Sequence, residues 1–432
     1  MRYYSTRNKS QLSSFKEALL GGLAKDGGLY MPESIPRLSQ KYFDEIENYT
    51  FQEISFEIAK QFVGDEIPKA KLEELIYDAI NFDAPLHYLN DKLAILELFH
   101  GPTLAFKDFG ARFMARTMEY FVQGNDKELV ILVATSGDTG SAVANGFYGI
   151  EGIKVYVLYP QGKVSIIQEK QLTTLDKNIT ALEVKGTFDD CQRLVKSAFV
   201  DSELSSKINL SSANSINISR LIPQSFYYFN AYKQVKDKTK KVIISIPSGN
   251  LGNLTAGLFA KKMGLPIYKF IGATNSNNVF TEFIETANFT PRESVLTLSN
   301  AMDVGNPSNL ERINELYSNK IEQIRDVVIS SSFDDNATKE GIKHIYEKFN
   351  YIIDPHGAVG YLSLYDYIDK NKITNYTGIV AETAHPAKFK DAVEEVIGKN
   401  VEIPARLAES INKEKKSILL ENSLTHLKEI LL

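Results

Sequence analysis

The stretch KVIISIPSGNLGNLTAGLFAKKMGLPIYKFIGATN, residues 241–275, decides the predicted fold. A continuous β-rich run at 241–249 is followed by a helical segment at 250–264 and by a second β-rich run at 267–275. Continuously apolar strands are typical of parallel sheet that is covered on both faces. The stretch therefore predicts a strand, a glycine-containing turn, a helix and a second strand, as in α/β proteins.

The same alternation extends along most of the chain. Strand-like runs lie at 92–99, 128–135, 153–160, 179–186 and 377–380, and helical patterns lie at 107–122, 142–149, 164–175, 188–200 and 219–235. Residues 1 to about 88 mix helical patterns with turn signals, and the tail 412–432 predicts an amphipathic helix. The pattern predicts an α/β protein with parallel sheet and helices on both faces.

Composition narrows the function. The chain has 432 residues and a net charge of −5, which gives no basic surface for nucleic acid. No apolar run is long enough to span a membrane, and the first ten residues lack the apolar core of a signal peptide. The single cysteine, Cys191, suits a reducing cytoplasm. The histidines form no metal-binding spacing, so we expect no metal site.

Three predicted strand ends carry polar turns, and ligands of α/β sheets bind beyond such ends. PSGNLGN (247–253) has glycines that allow close backbone approach and precedes a helix whose N–H groups suit a phosphate, although it is neither a Walker motif nor GxGxxG. ATSGDTGS (134–141) offers small hydroxyls and backbone N–H groups, or is only a well-capped turn. AETAHPAKF (381–389) includes Thr383, and in isolation it reads as a plain loop.

Two cations accompany these turns. Arg220, in NSINISR (214–220), is either a fork for phosphate or carboxylate or a solvated surface charge. Lys107, in HGPTLAFKDFG (100–110), is either a snorkelling surface residue or an amine kept out of water by apolar neighbours such as Phe106. A reactive lysine together with a phosphate-binding turn is the combination that pyridoxal phosphate requires.

These motifs, together with DVGNPSN (303–309) and DPHGAVG (354–360), resemble in their order and spacing the threonine synthase family, from Tyr3 almost to the end of the chain. The resemblance implies a fold-type II pyridoxal-phosphate enzyme, similar to the tryptophan synthase β subunit, with two open parallel-sheet domains and an N-terminal extension. The implied division is an N-terminal region at 1–88, a smaller domain at 89–212 with the Schiff-base lysine, and a larger domain at 213–432 with the phosphate loop.

The resemblance also implies residue roles. Lys107 is the Schiff-base lysine and catalytic base, and Thr383 lies beside the pyridine nitrogen. Asp138 stands where related enzymes often have an asparagine beside the cofactor 3′-oxygen, and Gly357 stands where a threonine is expected. The cofactor phosphate is assigned to Gly249, Asn250, Leu251, Gly252 and Asn253, and the substrate to Thr135, Ser136, Thr139, Asn214, Ser215 and Arg220.

The implied reaction converts O-phospho-L-homoserine and water to L-threonine and phosphate, in a cytoplasmic monomer or homodimer without nucleic-acid or membrane partners. Two alternatives stay open from the residues alone. One is a different β- or γ-replacement enzyme of the same fold, and the other is a non-catalytic protein that binds a phosphorylated metabolite. A phosphorylated substrate is favoured by Arg220 and the two anion-binding turns.

Overall fold

The computed structural model describes residues 1–124 and 127–432 and contains three sheets. The strands are β1 (Tyr3–Ser5), β2 (Asn8–Ser13), β3 (Tyr30–Pro32), β4 (Leu86–Tyr88), β5 (Leu93–Glu97), β6 (Leu129–Ala134), β7 (Ile153–Pro160), β8 (Ile179–Val184), β9 (Asn209–Ser212), β10 (Lys241–Pro247), β11 (Lys269–Thr274), β12 (Val328–Ser332), β13 (Tyr376–Glu382) and β14 (Ile418–Leu420).

Helices cover much of the remainder, and among the described residues none is long and apolar enough to cross a membrane. The α-helices are α1 (Phe15–Gly21), α2 (Gln40–Glu45), α3 (Phe51–Val63), α4 (Lys69–Ala79), α5 (Lys107–Val122), α6 (Asp138–Phe147), α7 (Ile166–Thr173), α8 (Phe188–Val200), α9 (Ser202–Lys207), α10 (Ile218–Leu221), α11 (Phe226–Lys233), α12 (Gly252–Lys262), α13 (Val279–Thr286), α14 (Leu310–Leu316), α15 (Ile321–Arg325), α16 (Asp335–Phe349), α17 (Pro355–Lys370), α18 (Lys390–Ile397), α19 (Ala405–Ile411) and α20 (Leu424–Leu431). Short 3-10 helices lie at Ile46–Asn48, Gly64–Glu66, Ile222–Ser225, Asn300–Met302 and Pro386–Phe389.

The largest sheet has six strands in the order β12-β11-β10-β13-β5-β4. All its pairings are parallel except β4 with β5, which is antiparallel. Strand β10 lies inside the sheet, and its residues from Val242 to Pro247 are buried. The near-continuous apolar sequence of β10 therefore reflects cover on both faces, as the pattern predicts.

The second sheet has five parallel strands in the order β14-β8-β7-β6-β9. Its central strands β6 and β7 are followed by α6 and α7, so this part of the chain has the predicted alternation. A small antiparallel sheet, β2-β1-β3, belongs to the N-terminal region. One large apolar cluster contains residues from all three parts of the fold, including Phe15, Ile131 and Ile244, so the N-terminal region is packed into the core.

The α/β class and the parallel sheets are confirmed, and most predicted elements are found within a few residues of their predicted bounds. The tail prediction is wrong in part, because Ile418–Leu420 forms β14 and only Leu424–Leu431 is helical. Strand pairing also crosses the predicted domain boundaries: β5 pairs with β13 of the larger sheet, and β14 pairs with β8 of the smaller one. The boundaries at 88 and 212 stay a prediction.

Candidate active site

A cavity of about 570 Å³ lies where the two large sheets meet, a size that suits a small-molecule ligand. Its walls are formed by the segments that follow β6, β9, β10 and β13 and by the start of α5. The predicted residues that line it are Lys107, Thr135, Ser136, Thr139, Asn214, Ser215, Arg220, Gly249, Asn250, Leu251, Gly252, Asn253 and Thr383. The carboxyl ends of strands therefore bring together turns that are far apart in sequence.

Lys107 is the first residue of α5, and its side chain is only 14% exposed. The ammonium nitrogen lies 5.6 Å from the centre of the Phe106 ring. The pKa of Lys107 is lowered to about 8, chiefly by burial; the nearby Asp138 raises it, and Lys388 and Arg220 lower it. About a tenth of the amine is thus neutral at pH 7, far more than for an ordinary lysine, and the neutral form is the one that a nucleophile or base requires. Phe109, in contrast, is buried among Phe82 and other rings of the core.

Asp138 is the first residue of α6 and is buried behind Lys107, and it is not among the described residues that line the cavity. Its Oδ1 atom lies 2.6 Å from Nζ of Lys388 and accepts a hydrogen bond of 2.8 Å from Nε2 of Gln168. Its Oδ2 atom lies 3.9 Å from Nζ of Lys107. Burial alone would raise the pKa of Asp138, but the two lysines hold it well below its usual range, so the group is a carboxylate.

Asp108 anchors the loop that precedes Lys107. Its carboxylate accepts hydrogen bonds from the backbone N–H (2.8 Å) and the hydroxyl (2.6 Å) of Thr103. A side chain on Gly101 would approach the same carboxylate to 2.5 Å, so the glycine is required by this close contact. The carbonyl of Thr103 in turn accepts a hydrogen bond of 3.0 Å from Lys388. Asp108 thus fixes the entry into α5 and, through Thr103, one partner of Lys388.

The PSGNLGN turn forms the N-terminus of α12. Leu251, which precedes the helix, is left-handed with a φ of 59°, and Gly249 packs so closely that a Cβ there would lie 2.8 Å from the carbonyl oxygen of Ala301. The helix has no side-chain N-cap in the described part of the chain, and its first residues line the cavity, so its first N–H groups are available to a ligand. The buried Nδ2 of Asn253 also has no hydrogen-bond partner among the described residues. These donors suit a phosphate.

Thr383 follows β13 and is held against residues 104–106, the loop that precedes Lys107. Its carbonyl accepts a hydrogen bond of 2.9 Å from the backbone N–H of Phe106. A β-bridge between Ala105 and Ala384 and a hydrogen bond from His385 to the carbonyl of Leu104 extend this contact. Because β5 and β13 are neighbours in the sheet, the turns after them meet, and the Thr383 side chain faces the same cavity as Lys107.

The loop at the end of β6, residues 134–141 (the hydroxyl loop), uses one of its hydroxyl groups to stabilise its own backbone. The Thr135 hydroxyl accepts hydrogen bonds from the backbone N–H groups of Gly137 (2.9 Å) and Gly140 (2.8 Å). The residues Ser136 and Thr139 line the cavity and are only partly buried. This segment can therefore be both a well-capped turn and a ligand-binding loop, because Thr135 stabilises the turn while Ser136 and Thr139 line the cavity.

The segment after β9 contributes polar groups. Nδ2 of Asn214 donates to the carbonyl of Ala134 at 2.9 Å, and Oγ of Ser215 accepts a hydrogen bond of 2.6 Å from Asn250. Ser215 is therefore directly linked to the phosphate loop. Arg220 is 2% exposed, lines the cavity and donates to the carbonyl of Ala213.

Arg220 is a buried cation, not a solvated surface charge. Burial lowers its pKa to about 10, which still leaves it charged at neutral pH. Its Nε atom is buried without a hydrogen-bond partner among the described residues. A Cβ on Gly110 of α5 would lie 3.0 Å from that Nε, so this glycine makes room for the guanidinium. The site thus holds one positive charge that is available to an anion.

Gly357 has a structural explanation. It lies in the first turn of α17, and a Cβ there would lie only 1.6 Å from Oε2 of Glu382 and 2.7 Å from Cγ1 of Ile353. Burial and the nearby Asp354 raise the pKa of Glu382 well above its usual range, so the acid is neutral. The side chain that a threonine would add at position 357 is thus excluded by Glu382, the neighbour of Thr383.

Several residues near the site were not predicted. His356 lies in the cavity wall, 2.8 Å from Asp354, and accepts a hydrogen bond from the N–H of Ala301. Asn309 donates to the carbonyl of Asn250 at 2.9 Å and so supports the phosphate loop. These residues, like Lys388, lie within the motifs on which the family resemblance rests. Their position in those motifs was the only feature of the sequence that indicated a place near the site.

The N-terminal region also reaches the site, although its sequence predicted no chemistry. Arg7 and Leu29 line the cavity. Arg312 is completely buried and links β3 to the segment after β9, because it donates to the carbonyls of Tyr30 and Ile216. No short motif in the first 88 residues indicated this contact.

The residues present fit pyridoxal phosphate. The cavity combines a buried lysine of lowered pKa, an open helix N-terminus and unpartnered buried polar atoms of Asn253 and Asn300. No group of histidine, cysteine or carboxylate side chains among residues 1–124 and 127–432 has the arrangement of a metal site. The donors at α12 suit the phosphate, and Lys107 suits the aldehyde.

Comparison with known proteins agrees with this chemistry. Family models match residues 2–80 (threonine synthase N terminus), 83–381 (pyridoxal-phosphate dependent enzyme) and 357–431 (threonine synthase, C-terminal). The threonine synthase of Escherichia coli K12 is 44% identical over 95% of this chain and 94% of its own length. A crystal structure of the E. coli enzyme has a TM-score of 0.93 at 42% identity, covering 100% of this chain and 99% of that one. A pyridoxal-phosphate-bound threonine synthase from Brucella melitensis gives 0.93 at 34% identity, covering 100% and 98%.

Proposed function

Because this chain belongs to the threonine synthase family of pyridoxal-phosphate-dependent lyases, we propose that it forms L-threonine and phosphate from O-phospho-L-homoserine and water. The proposal for the substrate is supported chiefly by one observation. The cavity that contains the amine of Lys107 also contains the buried cation Arg220 and a separate helix N-terminus. Two anion-binding groups suit a cofactor phosphate and a substrate phosphate.

Lys107 holds the cofactor and moves protons. When bound, pyridoxal phosphate withdraws electrons from the substrate and makes its Cα proton removable. The pKa of Lys107, lowered to about 8 by burial, leaves the amine able both to accept a proton and to return it near neutral pH. Its flexible side chain allows one amine to take protons from Cα and then from Cβ of the substrate. The same amine later returns one proton to Cγ, which becomes the methyl group of threonine, and one to Cα, while the proton of the attacking water leaves with the phosphate.

The other residues bind and orient. The backbone N–H groups at the start of α12, from Gly249 to Asn253, hold the cofactor phosphate. The hydroxyl of Thr383, which lines the cavity, would bind the ring nitrogen of the cofactor and, unlike a carboxylate, would not enforce its protonation. Arg220 binds the substrate phosphate and stabilises the charge that leaves with it from Cγ. Ser136, Thr139 and Asn214 contact the remainder of the substrate.

A coupled assay tests this proposal. Purified protein is supplied with O-phospho-L-homoserine, and threonine and phosphate are measured together. We expect equal amounts of the two products, a visible absorbance band in the resting protein, and borohydride trapping of the cofactor on the peptide that contains Lys107. The Lys107→Ala variant should form no threonine, because the other lysine that lines the cavity in the described part of the chain, Lys196, is exposed on α8.

Three results would contradict the proposal. Normal threonine formation by Lys107→Ala would show that another group is the base. Binding of phosphohomoserine without bound cofactor and without phosphate release would instead indicate a non-catalytic binding protein. A β-replacement product without phosphate release would indicate another reaction of the same fold.

We also infer a cytoplasmic enzyme that is a monomer or a homodimer. The location is supported by the single cysteine, Cys191, which is buried and unpaired in the described part of the chain. Fractionation of cells and light scattering of the purified protein test the two statements separately.

A further inference from the structure

The site contains a second buried lysine that the proposed chemistry does not use. The Lys388 side chain is 0% exposed, and its Nζ atom lies 2.6 Å from Oδ1 of Asp138 and 3.0 Å from the carbonyl of Thr103. A buried ion pair is weak evidence for stability, because the cost of desolvation offsets the attraction between the charges. The presence of the pair beside a reactive amine therefore points to a role in the site.

The two oxygens of Asp138 face different lysines. Oδ1 is occupied by Lys388 and by Nε2 of Gln168 at 2.8 Å. Oδ2 lies 3.9 Å from Nζ of Lys107, beyond hydrogen-bond distance. The carboxylate of Asp138 thus lies between two amines. It contacts Lys388, which does not line the cavity, at hydrogen-bond distance, and Lys107 only at a longer distance.

We infer that Lys388 is a positioning residue: it neutralises Asp138 and holds it away from Lys107, so that the carboxylate does not fix a proton on the amine that must react. The inference rests on the proposed function of Lys107. The Asp138–Lys388 pair would thus limit how strongly Asp138 favours the protonated form of Lys107. Hydrogen bonds with Gln168 and with the Thr103 carbonyl fix the geometry of the pair.

The charged groups around Lys107 determine the sign of the effect. Asp138 faces it from α6, Lys388 from the 3-10 helix at 386–389, and Arg220 from α10, while Asp108 of α5 interacts with both Lys388 and Arg220. Removal of Lys388 takes away one of the two positive neighbours of Lys107. It also releases Oδ1 of Asp138, whose only remaining cation within this group is Lys107.

The test measures the protonation of Lys107 directly. Full-length protein, freed of cofactor, is labelled with acetic anhydride from about pH 6 to about pH 11, and the modified Lys107 peptide is quantified by mass spectrometry. Lys388→Met should move the labelling midpoint up by about 1 to 3 pH units, the usual effect of an opposite charge at 4–6 Å. Asp138→Asn should move the midpoint down, because both remaining neighbours are positive.

The double variant Lys388→Met/Asp138→Asn separates charge from folding. It leaves no unpaired acid, so we expect a midpoint close to the native one and higher than that of Asp138→Asn alone. Lys390→Met, which removes a partly buried lysine that pairs with Glu394 outside the cavity wall, is the matched control and should leave the midpoint unchanged.

The inference is overturned if Lys388→Met has the native midpoint. Should that variant fail to fold, a native midpoint in Asp138→Asn overturns it instead, because the carboxylate would then have no effect on Lys107 for Lys388 to control. These results are independent of the proposed function, which fails if borohydride trapping places the cofactor on a peptide without Lys107.

Discussion

Lys107 is a cation in a place that disfavours charge. Burial lowers its pKa from 10.5 to about 8, so in the cofactor-free protein the charged form is penalised by about 3 kcal/mol at about 1.4 kcal/mol per pH unit. The unfolded chain binds the proton more tightly, so the penalty is fully present below about pH 8 and disappears as pH rises towards 10.5. The fold therefore sacrifices stability at this position for a reactive amine.

Replacing this amine should stabilise the cofactor-free protein. We expect Lys107→Met to increase the free energy of unfolding by up to about 3 kcal/mol near pH 7, and by much less near pH 10. Urea unfolding of native and variant protein at the two pH values measures the difference. Lys25→Met, at an exposed lysine, is the control and should show no such pH-dependent gain. A pH-independent gain would contradict the charge explanation.

At Gly357 we expect a substitution to destabilise the protein, because the neighbouring atoms leave no space for a side chain. A Cβ there would lie 1.6 Å from Oε2 of Glu382. We expect Gly357→Ala to destabilise the protein by about 1 to 3 kcal/mol, the usual cost of overpacking, and to weaken cofactor binding by displacing the neighbour of Thr383.

Thermal unfolding and a spectroscopic titration with pyridoxal phosphate measure the two effects of Gly357→Ala. Gly21→Ala is the matched control, since its added Cβ would meet only Tyr30 at 3.8 Å. A Glu382→Ala background removes the closest contact and leaves Cγ1 of Ile353 at 2.7 Å, so the cost of Gly357→Ala should fall in part. An undiminished cost there would show that another contact limits position 357.

The start of α12 depends on a neighbouring loop for its shape. Asn309 donates to the carbonyl of Asn250 and accepts a hydrogen bond of 2.7 Å from Arg312. Leaving a buried carbonyl without its hydrogen-bond donor costs roughly 1 to 3 kcal/mol of free energy. Each 1.4 kcal/mol that is lost from binding changes the affinity about tenfold. The turn proposed to bind the cofactor phosphate is therefore supported by Asn309, which directly precedes α14.

Asn309→Ala should weaken cofactor binding more than it changes catalysis by the loaded enzyme. We expect the Kd for pyridoxal phosphate to rise by about tenfold, with little change in kcat at saturating cofactor. An absorbance titration gives the Kd, and an exposed control, Asn288→Ala, should match the native protein. A lower kcat with an unchanged Kd would place Asn309 in the chemistry instead.

Elements with a strong local pattern could be predicted from the sequence, and contacts between them could not. Residues 188–200 have a helical period, and α8 spans those residues; β10 and the turn before α12 are likewise visible in their own sequence. Strand β14 has only three residues, too few for a period, and it exists because it pairs with β8.

The partners of the reactive lysine show the same limit. Asp138 and Lys388 meet although 250 positions separate them in the sequence, because turns from both large sheets approach the start of α5. A lysine in HPAKF carries no local sign that it will be buried, and an aspartate at a helix start is usually a cap. The resemblance to a family supplied the residue types, and only the packing of the two sheets explains why an acid is tolerated there.

The cavity belongs to neither large sheet alone. Residues 134–141 include the end of β6 in the five-stranded sheet, whereas residues 247–254, which include the proposed phosphate-binding turn at 247–253, begin at the end of β10 in the six-stranded one. A ligand that binds both loops stabilises the folded state by about 2.7 kcal/mol when its concentration is 100 times the Kd. Because both sheets contribute, we expect this stabilisation to extend across the molecule.

Hydrogen exchange of the whole enzyme tests that expectation. Addition of pyridoxal phosphate to cofactor-free protein should slow amide exchange in both 134–141 and 247–254, because the ligand joins turns from two sheets. The segment 418–432, at the far edge of the five-stranded sheet and outside the cavity wall, is the internal control and should change least. In Lys107→Ala, which keeps the phosphate loop but cannot attach the cofactor covalently, protection should persist at 247–254 and diminish at 134–141. Protection confined to 247–254 in the native enzyme would contradict a site shared between the sheets.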